Sequence, residues 1–273
     1  MDGSSNATRR RVLRRAGVAG TALLAGCTGP GTSDGTDGEG GDGGSDGGDG
    51  GGGDGDGGDG TDATATDTEL DPTGTPSGPQ RVDFTSTADT SVVGTLYGEG
   101  DTGVVLVPQI NRDRGSWEQQ ATTVADLGHT ALAIDEDPDN RAASALGAMQ
   151  YLRDSVGVSK VVLVGASSGG EAVVRATARA DEGTVDGVVA LSPGGGEEVA
   201  DGLQGRKLFV ASENDDDRFV RVTRELHEGA DPPKDIELYA GSAHGQAIFD
   251  SQHGGDLRER LFDLVAAVAN DGY

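Results

Sequence analysis

Cysteine and histidine, the residues that most often bind transition metals in proteins, are scarce in this chain. Cysteine occurs once, at position 27, so no disulfide can form within the chain. One cysteine and four scattered histidines argue against a metal site. The glycine-rich turn at residues 165–170 lacks both the Gly-x-Gly-x-x-Gly order and the lysine of a phosphate-binding loop. The sequence therefore predicts neither a metal nor a nucleotide cofactor.

Basic residues are also few, and lysine is the rarer of the two types. Of the 21 basic residues only 3 are lysines, and the formal net charge is -26. Residues 81–273 carry 33 acidic and 16 basic side chains, a net charge of -17, and residues 28–80 add 13 acids and no base. This sign disfavours nucleic acid and anionic lipid headgroups as partners. Acidic surfaces poor in lysine resemble those of extreme halophiles, where molar salt screens the repulsion.

Large apolar residues are nearly absent from residues 28–80, which consist almost entirely of Gly, Asp, Thr, Ser and Pro. Such a segment cannot bury enough apolar surface to offset its chain entropy. Its Gly-Gly-Asp-Gly repeats lack the regular apolar residue that a calcium-binding β-roll requires. We therefore expect residues 27–80 to be a disordered, acidic tether, and residues 81–273 to form one domain with one core.

The first 27 residues resemble an export signal. Consecutive arginines at positions 9–11 precede an uncharged run from Ala16 to Gly26, which is too short to span a bilayer as a helix. The arginines resemble a twin-arginine signal, and Leu24-Ala25-Gly26-Cys27 resembles a lipobox. These resemblances imply that residues 1–26 are a signal peptide and that Cys27 carries lipid at the outer face of a membrane. An uncleaved N-terminal anchor is the alternative.

Apolar periodicity in residues 81–273 predicts alternating strands and helices. Residues 81–94 read as one edge strand followed by a turn at 95–98. Apolar runs predict buried strands at 103–108, 130–135, 161–164, 185–191 and 207–211, and residues 236–239 read as a last strand. Helical patterns cover 116–127, with Ser116 as N-cap, and 141–156, 171–180, 218–228 and 256–269. The alternation predicts an α/β fold, a doubly wound, mostly parallel sheet with helices on both faces.

A serine, an acid and a histidine follow three of these strands. Gly165-Ala166-Ser167-Ser168-Gly169 fits the Gly-x-Ser-x-Gly turn that presents a nucleophilic serine. Asp215 is the first aspartate after the strand at 207–211, and His244 follows the last strand. All three fall at carboxyl ends of parallel strands and hence on one edge of the sheet.

Several assignments keep alternatives. Ser168 is a second candidate for the nucleophile in the overlapping frame. Asp216 and Asp217 compete with Asp215 as the acid. For the other histidines, at positions 129, 227 and 253, we expect structural roles.

Residues 81–273 resemble the α/β-hydrolase superfamily, in particular serine esterases and dienelactone hydrolases. The resemblance is carried by the serine turn, the acid and the segment Gly241-Ser242-Ala243-His244-Gly245. The resemblance implies Ser167 as nucleophile, His244 as base and Asp215 as the acid that orients it. The Ser168 N–H would bind the oxyanion, with the Ile110 N–H as second donor and that of Gln109 as an alternative.

This sequence departs from the family at positions 108 and 109, where many members carry His-Gly and this chain has Pro-Gln. No inserted cap domain is predicted between residues 171 and 212, so the site should be open to small or exposed acyl substrates. The sequence thus predicts an exported, lipid-anchored serine esterase that acts on a small ester. A peptidase or thioesterase with the same triad, and a non-catalytic binding module on this fold, are the alternatives.

Overall fold

The computed structural model of the chain describes residues 78–271, and within them eight strands form one mixed sheet. The strands are β1 (Gln80–Thr85), β2 (Ser91–Tyr97), β3 (Thr102–Val107), β4 (Thr130–Asp135), β5 (Lys160–Ala166), β6 (Gly187–Leu191), β7 (Arg206–Ser212) and β8 (Lys234–Tyr239). Their order is β1-β2-β4-β3-β5-β6-β7-β8. β3 to β8 run parallel, and β1 and β2 are antiparallel to their neighbours. The predicted doubly wound, mostly parallel sheet is confirmed.

Helices cover both faces of this sheet. They are α1 (Glu118–Asp126), α2 (Arg141–Tyr151), α3 (Ser168–Arg179), α4 (Asp217–Gly229) and α5 (Gly254–Asn270). Short 3₁₀ segments occupy Arg114–Trp117, Glu197–Gly202 and Gly245–Asp250, and a π-turn, Leu152–Val156, extends α2. α1 and α5 pack on one face of the sheet, and α2 and α3 pack on the other. Every residue of β3, β5 and β6 is buried, as expected for strands covered on both faces.

The expectation of a single edge strand over residues 81–94 is wrong. The chain turns back at Ser86–Thr90, so that β1 and β2 form an antiparallel hairpin and β2 continues through the predicted turn to Tyr97. The turn contains neither glycine nor proline. The Ser86 hydroxyl holds it by accepting hydrogen bonds from the N–H groups of Ala88 and Thr90, both at 3.2 Å.

The helix starts also differ from the predicted ones. Ser116 does not cap α1, because it lies inside the 3₁₀ segment that precedes the helix, where its hydroxyl donates to the Asp113 carbonyl at 2.6 Å. Trp117 is fully buried and packs edge-on against Phe249, with ring centroids 5.9 Å apart, so it belongs to the core. α3 begins at Ser168, three residues earlier than the pattern suggested.

No cap domain separates α3 from β7 in the described residues, where only β6 and the segment Glu197–Gly202 intervene. None of the helices between residues 78 and 271 is long and apolar enough to cross a membrane. The same stretch of chain holds no cluster of histidine, aspartate and glutamate side chains that could bind a metal ion.

The three lysines of the protein all lie near the start of a strand, at the edge of the sheet opposite to the carboxyl ends. Lys160 opens β5, Lys207 is the second residue of β7, and Lys234 opens β8. Lys160 is buried, and its ammonium group donates to the Val268 carbonyl at 2.8 Å, the Ala269 carbonyl at 3.2 Å and the Asp271 carbonyl. It thereby donates to backbone carbonyls at the C-terminal end of α5, where a positive charge also interacts favourably with the helix dipole.

We expect Lys160→Met to lower the free energy of unfolding by about 2 kcal/mol, the typical contribution of hydrogen bonds to a charged group. Lys234→Met is the matched control, because Lys234 is less buried and donates to the Glu228 carbonyl at 3.2 Å. Urea unfolding in molar salt measures both variants. Equal effects of the two substitutions would contradict this role of Lys160.

Candidate active site

Ser167 lies on a tight turn between β5 and α3, at the centre of the sheet. Its backbone has φ 51° and ψ -113°, a conformation that is strained for any residue other than glycine. Three hydrogen bonds hold it there: its N–H donates to the Leu191 carbonyl at 2.8 Å, and its carbonyl accepts from the N–H groups of Glu171 (3.0 Å) and Gly194 (3.2 Å). The surrounding backbone therefore enforces the strained turn.

The glycines on either side of Ser167 are required by close backbone contacts. A Cβ at Gly165 would lie 2.1 Å from the Gly169 carbonyl oxygen, and one at Gly169 would lie 2.3 Å from the Pro108 carbonyl oxygen. Both contacts are with backbone atoms, which cannot move without displacing the turn. The Gly-x-Ser-x-Gly spacing thus lets β5, α3 and the end of β3 approach one another.

His244 joins Asp215 and Ser167 in a series of hydrogen bonds. Its Nε2 lies 2.8 Å from the Ser167 Oγ, and its Nδ1 lies 2.8 Å from the Asp215 Oδ2. The Asp215 side chain is 6% exposed, the His244 side chain 29%. The structure therefore brings together the serine, histidine and aspartate that the sequence singled out.

The three aspartates after β7 have different partners. Asp215 alone contacts His244, and its second carboxylate oxygen, Oδ1, accepts from the Asp216 N–H at 2.8 Å. Asp216 is the N-cap of α4, because its carboxylate accepts from the Arg218 N–H at 2.9 Å. Asp217 is the first residue of α4. The geometry distinguishes acids that the sequence left as alternatives.

The loop that carries His244 is anchored on both sides of the histidine. The Ser212 hydroxyl donates to the Ala243 carbonyl at 2.6 Å, and the Gly245 N–H donates to the buried Ser192 hydroxyl at 3.1 Å. The ring of Phe219, from α4, lies against the imidazole with a centroid distance of 4.2 Å. These contacts position the imidazole between Ser167 and Asp215. Phe219 carries no sequence signal for this role, because it lies within an ordinary helical pattern.

The two expected oxyanion donors lie beside Ser167 but have different partners. The Ser168 N–H belongs to the first residue of α3, where no intrahelical acceptor exists. The Ile110 N–H donates to the Ser168 side-chain Oγ at 2.8 Å. The alternative donor, the Gln109 N–H, points to the Gln246 Oε1 at 3.3 Å.

The remaining histidines lie away from Ser167. His129 precedes β4, and burial lowers the pKa of its imidazole. His227, in α4, packs edge-on against Phe209 of β7. His253 stacks on Tyr239 with a centroid distance of 4.9 Å.

Known proteins resemble this chain in structure rather than in sequence. The sequence matches no protein-family model and no curated protein. An esterase from Pyrococcus furiosus superposes with a TM-score of 0.59 and 12% identity, over 69% of this chain and 90% of its own. Dienelactone hydrolase from Anabaena variabilis gives a TM-score of 0.57 and 18% identity, over 69% of this chain and 98% of its own. Dipeptidyl peptidase 4 from Porphyromonas gingivalis gives a TM-score of 0.58 and 14% identity, over 69% of this chain and 35% of its own.

The domain has the α/β-hydrolase fold. The strand order, the strained turn after β5 and these structural neighbours agree on this point. The sequence identities of this chain to such structures are 10–18%, which is enough to support the fold but not a shared activity.

A pair of glutamines, Gln109 and Gln246, connects two loops at this edge of the sheet. The Gln246 N–H donates to the Gln109 Oε1 at 3.0 Å, and the Gln246 amide Nε2 donates to the Ser116 hydroxyl at 2.9 Å. The Gln246 side chain is buried and bridges the loop after β3 to the segment after His244. Sequence reasoning missed this pair, because its members are 137 positions apart and neither belongs to a local motif.

A groove of about 360 Å³ lies between the start of α2 and α3, and its lining includes Ser168 but not Ser167, Asp215 or His244. Arg141, Arg175 and Arg179 contribute basic side chains to this lining, and Asp139 and Glu171 contribute acidic ones. Arg141 pairs with Glu136 at 2.9 Å, and burial raises the pKa of that carboxyl group to about 7. The groove is therefore polar and borders Ser168 rather than Ser167.

We expect Gly165→Ala to destabilise the domain by about 1–3 kcal/mol, because the new methyl group collides with backbone rather than with a movable side chain. Gly255→Ala, in the first turn of α5, meets no atom within 4 Å and is the matched control. The control should be neutral or stabilising by up to about 1 kcal/mol. Thermal unfolding measures both variants, and a neutral Gly165→Ala would contradict the packing described for the turn.

Proposed function

We propose that this protein is a serine hydrolase that cleaves ester bonds through an acyl-enzyme. The observation that carries the proposal is the continuous series of hydrogen bonds from Asp215 through His244 to Ser167, each 2.8 Å long. A serine hydroxyl is a weak nucleophile at neutral pH and requires a base within hydrogen-bond distance. The imidazole is such a base, and the buried carboxylate stabilises the imidazolium that forms.

The reaction proceeds in two half-reactions. His244 removes the Ser167 hydroxyl proton as the Oγ attacks the ester carbonyl, and it returns that proton to the leaving alcohol. Water then attacks the acyl-serine with the same histidine as base, which regenerates the free hydroxyl and releases the acid. The negative charge on the carbonyl oxygen requires preorganised donors, and the Ser168 N–H is one of them.

Small or exposed esters are the substrates that the surroundings of Ser167 favour. The described residues have no cap over the site, and the groove that borders Ser168 is lined by charged side chains of both signs rather than by an apolar tunnel. An esterase and a dienelactone hydrolase are among the structural neighbours, which supports an ester bond. A dipeptidyl peptidase shares the fold, so peptide and thioester substrates belong in the same assay panel.

We further propose that the enzyme is exported and held at the outer face of the cell membrane by lipid on Cys27. The support is the sequence alone, since the signal peptide (1–26), Cys27 and nearly all of the tether (27–80) lie outside the described residues. The acidic, lysine-poor composition supports work in molar salt. The proposed partners are a small ester and the membrane, and no nucleic acid.

Ser167→Ala should reduce hydrolysis of short p-nitrophenyl esters on the order of 10⁶-fold, to background. Asp215→Asn should reduce kcat by about 10⁴-fold, because an amide cannot hold the imidazole in the required tautomer. Asp216→Asn and Asp217→Asn are the matched controls, and both should stay within about tenfold of the unmodified protein. Initial rates in molar salt, with thermal unfolding as a check on folding, measure all four variants.

Two outcomes would contradict the proposal. Equal rates for the unmodified protein and Ser167→Ala would exclude Ser167 as the nucleophile. A folded protein without activity on esters, thioesters or peptides would instead favour a non-catalytic binding module on the α/β-hydrolase fold.

A further inference from the structure

The side chain of Ser168 occupies an unusual position for a residue that is expected to act through its backbone. Its Oγ accepts a hydrogen bond from the Ile110 N–H at 2.8 Å, across 58 positions of the chain. This bond uses one lone pair of the oxygen and leaves its hydroxyl proton to be donated. That proton has no acceptor among the described residues.

We propose that the Ser168 hydroxyl is itself a catalytic donor that gives a hydrogen bond to the oxyanion. The Ile110 N–H donates to the oxygen of that hydroxyl. This inference rests on the proposed hydrolase function and adds a side-chain donor to it. The oxyanion would then receive two hydrogen bonds from one residue, the N–H and the O–H of Ser168. The Ile110 N–H would orient and polarise the hydroxyl rather than touch the substrate.

Placement and polarisation both favour this role. Ser168 follows the nucleophile directly, so its side chain belongs to the same turn that positions the Ser167 Oγ, and it is half-buried. An O–H group that accepts a hydrogen bond becomes a better donor, since hydrogen bonds in a chain polarise one another. Ser168 also lines the groove between α2 and α3. The hydroxyl is therefore fixed on one side by protein and open on the other.

The attack of Ser167 on the ester carbonyl transfers one proton, to His244, and takes none from Ser168. The Ser167 Oγ forms a bond to the carbonyl carbon, its proton passes to the His244 Nε2, and the π electrons of the carbonyl move to the oxygen. The Ser168 hydroxyl keeps its proton and shortens its hydrogen bond to that oxygen. When the tetrahedral intermediate collapses, the electrons return, the alcohol leaves with the proton from His244, and the Ser168 hydroxyl is unchanged.

A direct hydrogen bond from the Ile110 N–H to the oxyanion predicts a different effect on the rate when the Ser168 hydroxyl is removed. If the Ile110 N–H binds the oxyanion directly, the Ser168 hydroxyl occupies the position of the oxyanion in the free enzyme and must be displaced. Removing the hydroxyl would then leave the rate unchanged or increase it. If the hydroxyl is a donor, its removal costs a large factor in rate, about 10²–10³-fold for a side-chain donor.

The test compares Ser168→Ala and Ser168→Thr with the unmodified protein on p-nitrophenyl acetate and on its thionoester, in molar salt. We expect Ser168→Ala to lower kcat by about 10²-fold with KM within a few-fold, and Ser168→Thr to recover most of the loss. Sulfur is a weaker hydrogen-bond acceptor than oxygen, so the ratio of ester to thionoester rates should also fall in Ser168→Ala. A merely structural role would not change that ratio.

Thr184→Ala is the control for loss of a hydroxyl, because Thr184 lies before β6 at the opposite edge of the sheet and its hydroxyl donates to the Asp181 carbonyl at 2.6 Å. It should leave both rates unchanged. If the unmodified protein is active and Ser168→Ala is equally fast or faster, or keeps the same ester-to-thionoester ratio, the donor role is wrong while the hydrolase proposal stands. If the unmodified protein hydrolyses neither substrate and no other acyl substrate, both fail together.

Discussion

The strained backbone of Ser167 is the constraint on which the rest of this site depends. The backbone of this serine, at φ 51°, is held by hydrogen bonds with Leu191 at the end of β6, Gly194 in the loop after it and Glu171 in α3. That arrangement requires β5 and β6 to be adjacent and parallel, with α3 starting at the next residue. Residues without a Cβ at positions 165 and 169 make it sterically possible. The strand order and the two glycines therefore determine the orientation of the Ser167 side chain.

Once the turn is in place, the other groups of the site reach it from loops at the same sheet edge. Asp215 follows β7, His244 follows β8, and the loop after β3 carries Gln109 and Ile110. The loops are tied to one another as well as to the sheet, through Gln246 and through the Ser168 hydroxyl. This mutual anchoring explains how a site without a cap keeps its geometry, a requirement for preorganised catalysis.

The sequence was sufficient for the parts of the structure that follow a local pattern. Four apolar residues before Gly165 indicated a buried strand, and the order of Ser167, Asp215 and His244 matched the strand ends where the structure has them. The hairpin was missed because its turn depends on one hydroxyl, that of Ser86, rather than on glycine or proline. The start of α3 was placed too late because glycines are poor helix formers. Contacts between distant polar residues, such as Gln109 with Gln246, leave no local signal.

The central claim is that Ser167, and not Ser168, is the nucleophile of a working serine hydrolase. Reaction of the folded protein with a fluorophosphonate probe in molar salt, followed by mapping of the modified peptide, tests it most directly. The account predicts a single modified residue, Ser167, and loss of labelling in Ser167→Ala. Modification of Ser168, or no modification of folded protein, would contradict it.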